Sequence, residues 1–224
     1  MATETVLITG AGGGLGGAVT EAFVADGWRV VAAVRRRQPD QLPAAAAQVE
    51  ADLIDPDAVA AVVREATAEP AAPLRAVVNL VGGFASGGRV HETPLADFEA
   101  MFTLNLRPTY LVTSATLPAL VAAGGGSVVC VSSRAAQRPF SGAAGYAASK
   151  AAVLALANAV AVEYGRDGVR CNTVLPSVID TPANRAAMPD ADHTGWVPPA
   201  RIAAVIRFLA SADSAPITGA AIPV

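Results

Sequence analysis

Tyr146 and Lys150 stand four residues apart in the stretch Gly145-Tyr146-Ala147-Ala148-Ser149-Lys150. On a helix that spacing puts both side chains on one face. An ammonium beside a phenol favours the phenolate. This predicts a tyrosine pKa lowered from its usual value of about 10, and a side chain able to give or take a proton. A lysine stem packed over a ring has the same spacing, so the pair gains meaning only from the residues around it. Ser133, thirteen residues earlier, closes an apolar run over 126–133 and offers a second hydroxyl donor. Asn105 lies inside an apolar helical pattern, where asparagine has poor propensity, and its amide is available for a specific hydrogen bond.

A second group of residues has the order expected of a dinucleotide site. Thr9-Gly10-Ala11-Gly12-Gly13-Gly14-Leu15-Gly16 follows a short apolar run at 5–9 and opens a helical pattern carried by Leu15, Val19 and Phe23. In a strand, glycine turn, helix arrangement the backbone comes close to a ligand, and the helix start presents N–H groups to a pyrophosphate. The second strand, over 28–34, closes on Val34. An acidic side chain there would accept the 2′-hydroxyl of the adenosine ribose. Arg35-Arg36-Arg37 follow instead. The missing acid and the guanidinium of Arg35 favour NADPH/NADP+, with NADH still open. Arg36 and Arg37 read equally well as solvated charge. A third strand over 48–53 ends on Asp52 and Leu53, which fall near the adenine unless Asp52 is a simple turn acid. Asn79, Val81 and Gly82 end a fourth strand over 74–81, where small residues let a cofactor lie close.

The elements that must hold these residues alternate. Asp55 and Pro56 cap and open a helix, and Thr93-Pro94 start another. The helical pattern over 98–122 contains Pro108 and Pro118, which predict a bend or break. The helix carrying Tyr146 and Lys150 continues through Leu154 and Val160, and its alanines leave one smooth face for close packing or a subunit contact. A strand over 169–175, a helix over 201–210 and a strand over 219–224 complete the pattern. Alternation of this kind predicts an α/β fold: one Rossmann-type, doubly wound parallel sheet of about seven strands flanked by helices, in a single catalytic domain over 1–224. The connection over 180–198 is longer than usual and reads as a substrate loop or lid. Met188, His193 and Trp196 within it, with Phe84, are the candidates for the substrate wall.

Composition narrows the partners. A net charge of -3 does not suggest nucleic acid. Cys130 and Cys171 fall in apolar runs without metal-ligand spacing and read as core thiols. No signal peptide is evident, and no uninterrupted apolar run has the length to span a bilayer. The expectation is a soluble cytoplasmic protein acting on a small molecule.

Taken together, these motifs resemble the short-chain dehydrogenase/reductase family over essentially the whole chain. Thr9-Gly10-x-x-x-Gly14-x-Gly16 is similar to its glycine turn, and Asn79-Leu80-Val81-Gly82 to its Asn-Asn-Ala-Gly segment. Asn105, Ser133, Tyr146 and Lys150 match its catalytic set, and Pro176-Ser177-Val178-Ile179-Asp180-Thr181 its segment near the nicotinamide. The resemblance implies that Tyr146 is the general acid or base and that Ser133 holds the substrate oxygen. It also implies that Lys150 binds the nicotinamide ribose, that Asn105 holds a relay water and that Thr181 bonds the nicotinamide amide. Pro176 and Val178 would line the same cofactor, and a homodimer or homotetramer is implied too. The tail through Asn184-Arg185, Met188-Pro189-Asp190 and Trp196 is similar to quinonoid dihydropteridine reductase, as is Gly82-Gly83-Phe84-Ala85. That reductase lacks the serine and asparagine and prefers NADH. The leading expectation is an NADPH-dependent carbonyl reductase or alcohol dehydrogenase. The alternatives are a reductase of a quinonoid pterin and a non-catalytic NADP(H) sensor.

Overall fold

The computed structural model describes residues 4–38 and 40–224. Seven parallel strands form one sheet in the order β3-β2-β1-β4-β5-β6-β7. They are β1 Thr5–Thr9, β2 Arg29–Val34, β3 Ala47–Glu50, β4 Leu74–Asn79, β5 Gly126–Val131, β6 Val169–Leu175 and β7 Ala221–Pro223. Helices α1 Gly16–Ala25, α2 Pro56–Ala66, α3 Leu95–Asn105, α4 Arg107–Ala122, α5 Ala144–Glu163, α6 Pro182–Ala187 and α7 Pro199–Ala210 lie between the strands. Central strands such as β1 are buried along their whole length. Being covered on both faces, they carry runs of apolar residues with no alternation.

Each face of the sheet has its own core. Val6, Ile8, Val30 and Ala32 point to the face covered by α1 and α7, where Phe23, Ile202, Ile206 and Leu209 pack. Leu7, Val31, Val77 and Val128 point to the other face, where Val59, Val112, Leu120 and Val153 pack. Cys130 and Cys171 lie in this second core as free thiols. The chain builds outward from β1 to β3 and then returns to lay β4 beside β1. The strand order therefore reverses between β1 and β4, and the crevice beyond their carboxyl ends is where such sheets bind ligands.

Several elements differ from the sequence-based expectation. β3 stops at Glu50, so Asp52 and Leu53 lie beyond it. The pattern over 98–122 is two helices that meet at Leu106, which ends α3 and begins α4. Pro108 sits in the first turn of α4, where a missing N–H costs nothing, and Pro118 is carried inside α4 without ending it. Asn105 is thus the last residue of α3, not a helix-interior residue. The 180–198 segment is not a plain loop. It holds α6, capped by the Thr181 hydroxyl, and an isolated bridge between Ile179 and Val197. Finally, α5 has 20 residues and contains an 18-residue stretch of mean hydropathy 1.4, so by length and composition alone it could cross a membrane, contrary to expectation. Here its alanines and valines pack on β5, β6 and α3, the arrangement of a core helix.

Candidate active site

The glycine turn leaves β1 at Gly10, whose φ of +68° is the left-handed region that favours glycine. A Cβ there would also press on the backbone of Val81, at 3.1 Å from its nitrogen. The turn at the end of β1 and the segment after β4 are therefore in contact. Thr9 fastens them again, since its hydroxyl accepts a bond from Leu80 N–H at 3.1 Å. Leu15, at the N-cap of α1, provides no side-chain cap. Gly16 N–H turns back to the Gly13 carbonyl at 3.0 Å, and the next N–H groups of the first turn, those of Gly17 and Ala18, receive no side-chain cap and suit an anion. Across the turn, a Cβ on Gly14 would lie 2.7 Å from Cγ2 of Thr181. The glycine turn, expected to hold the pyrophosphate, and the Thr181 segment, expected to hold the nicotinamide, are therefore in close contact, with only glycine on the turn side at that point, and these residues fit such a cofactor.

α5 brings Tyr146 and Lys150 to the same crevice. Lys150 is 5% exposed, and its Nζ donates to the carbonyl of Val131 at the end of β5, at 3.1 Å. Ser132 anchors the helix from below, donating to the Lys150 carbonyl at 2.7 Å. Burial pushes the Lys150 ammonium down to about 8, against an opposing pull from Cys130 behind it. Burial also pushes the Tyr146 phenol up, with the Ser133 hydroxyl pulling the other way. This corrects the expectation of a lowered tyrosine pKa. In this half-buried site desolvation outweighs any help to the phenolate, and the ammonium is turned to Val131. The phenol is thus held in the form that donates a proton.

Asn105 joins the parts. Its Oδ1 accepts from Gly83 N–H at 2.8 Å, and its Nδ2 donates to Ser149 Oγ at 2.9 Å. Ser149 in turn donates to the carbonyl of Tyr146 at 2.8 Å. A Cβ on Gly82 would fall 2.7 Å from Asn105 Oδ1 and 2.9 Å from Lys150 Nζ. Gly82 is therefore the floor on which Asn105 and Lys150 meet. The amide of Asn105, expected to serve a water, is bonded here to protein groups.

The remaining candidates divide. Asn79 is buried at the end of β4, and its Nδ2 donates to the Thr113 hydroxyl on α4 at 3.0 Å. Leu53 is a core residue, and the exposed Asp52 accepts from Ile54 N–H in its own turn. Arg35 is exposed directly after β2. The Pro176 carbonyl accepts from Arg134 N–H, and that of Val178 from Val197 N–H, so both hold backbone in place beside Thr181. Of the four substrate candidates, Phe84 meets Tyr146 edge to face, with ring centroids 5.0 Å apart. Phe140, not singled out from the sequence, lies 6.2 Å from Phe84. Both phenylalanines are more than half exposed. They form an apolar wall beside the phenol. An open cleft continues past Tyr146, lined by Ser86, Thr93, Asp97 and Met101. Met188, His193 and Trp196 are tied to their own segment instead. His193 meets Arg185 and the Met188 carbonyl through its two ring nitrogens, and its ring lies 4.2 Å from that of Trp196.

Comparison with known proteins agrees with this geometry. The family model described as short chain dehydrogenase matches residues 4–192. A 2-(R)-hydroxypropyl-CoM dehydrogenase of Xanthobacter autotrophicus is 31% identical, over 98% of this chain and 96% of its own. A (3R)-3-hydroxyacyl-CoA dehydrogenase of Mus musculus is 34% identical, over 97% and 93%. A short-chain type dehydrogenase/reductase of Mycobacterium ulcerans superposes with a TM-score of 0.91 at 27% identity, over 100% of this chain and 89% of that one. The chain belongs to the short-chain dehydrogenase/reductase family. It is an oxidoreductase with that family's Rossmann-type fold.

Proposed function

We propose that the protein is an NADPH-dependent carbonyl reductase, working in reverse as an alcohol dehydrogenase. The observation that carries this reading is the convergence of Ser133, Tyr146 and Lys150 on one crevice with the glycine turn. Gly10, Gly14, Leu15, Thr181 and Lys150 would hold the cofactor, which supplies the hydride. Tyr146 gives its proton to the carbonyl oxygen as negative charge grows there. Ser133 donates a hydrogen bond to the same oxygen and orients it. Lys150 binds ribose hydroxyls and keeps a positive charge near the phenolate that Tyr146 leaves behind. Phe84 and Phe140 exclude water from the substrate side. Both named relatives are dehydrogenases of a secondary alcohol, by the hydroxypropyl and hydroxyacyl groups in their names, which supports carbonyl chemistry over pterin reduction.

The test is NADPH oxidation against aldehydes, ketones, quinones and a quinonoid dihydropterin, with NADH in parallel. Turnover of ketones or aldehydes with NADPH, lost in Ser133→Ala, is the expected result. Turnover of the dihydropterin alone, retained in Ser133→Ala, would replace this reading with the pterin one. Cofactor binding without turnover of any substrate would leave a sensor.

A further inference from the structure

One polar group beside the glycine turn has no structural use. The Oε1 atom of Gln38 is buried and has no hydrogen-bond partner among the described residues. The whole carboxamide of Gln38 lies flat on Gly12, where an added Cβ would fall 2.7 Å from Oε1, 2.9 Å from Cδ and 2.9 Å from Nε2. A desolvated amide left unpaired costs free energy, so its position calls for a partner that is not protein.

The backbone of Gln38 is held deliberately. Gln48, on β3, accepts from Gln38 N–H at 2.7 Å through its Oε1 and donates to the Gln38 carbonyl at 3.2 Å through its Nε2. Gln41 N–H adds a bond to the same carbonyl at 3.1 Å. This two-way amide clamp fixes the segment leaving β2 so that the free head of Gln38 reaches back to the turn after β1. In a doubly wound sheet, the gap between that turn and the end of the second strand receives the adenosine ribose. An acid would ordinarily read the 2′-hydroxyl from the end of that strand, but here the position is Val34.

We propose that Gln38 reads the 2′-substituent of the adenosine ribose, and that it takes a 2′-phosphate through its Nε2 hydrogens. This rests on the nicotinamide-cofactor reading above. Among the described residues no bond fixes which amide atom points inward, so rotation of the carboxamide can present N–H to an anion. A carboxamide is neutral and does not repel a phosphate as an acid would. Arg35, exposed at the start of the same segment, supplies the positive field. Gln48 is the positioning residue, acting only through the Gln38 backbone.

The test uses fragments of the cofactor and needs no catalysis. Binding of 2′,5′-ADP and of 5′-AMP is measured by calorimetry on the wild type, Gln38→Leu, Gln38→Glu and Gln48→Leu, with melting curves to confirm folding. Loss of a hydrogen bond to a charged group predicts an affinity for 2′,5′-ADP lower by about tenfold or more in Gln38→Leu. Gln38→Glu, which adds like charge, falls further for 2′,5′-ADP, whereas 5′-AMP binding stays within about twofold in Gln38→Leu and is kept or strengthened in Gln38→Glu, whose carboxylate can accept from the 2′-hydroxyl. Gln48→Leu weakens 2′,5′-ADP in the same selective way. An unchanged ratio of the two affinities in both Gln38 variants, or an equal loss for both fragments, would overturn the assignment. NADPH and NADH are titrated into the wild type alongside. Failure of both to bind would overturn the cofactor reading itself, whereas NADPH binding with insensitive Gln38 variants would remove only the role of Gln38.

Discussion

Asn105 and Ser149 are joined side chain to side chain at 2.9 Å, linking the last residue of α3 to the residue before Lys150 on α5. The bond is buried, and Asn105 closes a second one to Gly83 N–H. Because α3 ends here, the amide is free to turn away from its own helix. Asn105→Ala leaves the half-buried Gly83 N–H without its acceptor and removes the donor to Ser149 Oγ, which keeps its own bond to the Tyr146 carbonyl. We expect a loss of about 1–3 kcal/mol in stability by urea unfolding. The double variant with Ser149→Ala should lose less than the sum of the single losses, since both remove the same bond.

Gly82 gives a sharper test of the same junction. Both Asn105 Oδ1 and Lys150 Nζ lie within 3 Å of the point where a side chain would begin. Gly82→Ala must therefore displace one or both. The expected cost is about 1–3 kcal/mol for overpacking, with turnover falling more than at nearby Gly87, where an added Cβ meets nothing within 4 Å. Equal activity in the two variants would contradict the close approach.

Lys150 carries a pH signature. Burial holds its folded pKa at about 8, below the unfolded value of about 10.4. Between these values the unfolded chain binds more protons, so stability contributed at this site rises with pH across that window. The cost of burying the charge is complete below about 8 and lifts above it. Urea midpoints for the wild type and Lys150→Met should therefore converge or cross from pH 8 towards 10. In the same range kcat/KM, which reports the free enzyme, should fall as the ammonium is lost. Tyr146 acts oppositely: its raised pKa keeps the proton on the folded protein longer, so stability is lost only above the ordinary phenol range.

Phe84 stands edge-on to Tyr146 with Phe140 behind it. Phe84→Ala removes an exposed aromatic face, not core, so folding should be nearly unaffected. The expected effect is on substrate: an increase in KM of about tenfold for apolar ketones, from lost burial and edge-to-face contact worth roughly 1.5 kcal/mol. A fall in kcat alone would assign Phe84 to orientation of Tyr146 instead.

Much of this site was legible in the sequence because it depends on local spacing. Tyr146 and Lys150 share a helix face by their separation, and the glycines at 10 and 14 announce a turn between a strand and a helix. β1 and β6 were bounded correctly, since buried runs end sharply at glycine or proline. What the sequence could not yield depends on distant partners. Asn105, at the end of α3, finds its partners in Gly83 and Ser149, which lie far off in the chain and which propensity does not encode. Phe140 and Gln38 become relevant only because the fold lays them on Phe84 and Gly12. His193 and Trp196 were placed at the substrate by loop length, whereas Arg185, bonded to Asp180 and His193, binds them into their own segment. The direction of the Tyr146 shift was misread because spacing reports a neighbour and not the depth of burial.

The measurement that tests the central claim most directly is single-turnover NADPH oxidation by Tyr146→Phe with a ketone that the wild type reduces, with the NADPH dissociation constant measured alongside. Removing only the phenolic hydroxyl removes the proposed acid and leaves the ring against Phe84. The account predicts a rate lower by about 10²–10⁴-fold with NADPH affinity within about twofold of wild type, because Lys150 and the glycine turn are untouched. A Tyr146→Phe rate within a few fold of wild type would contradict it.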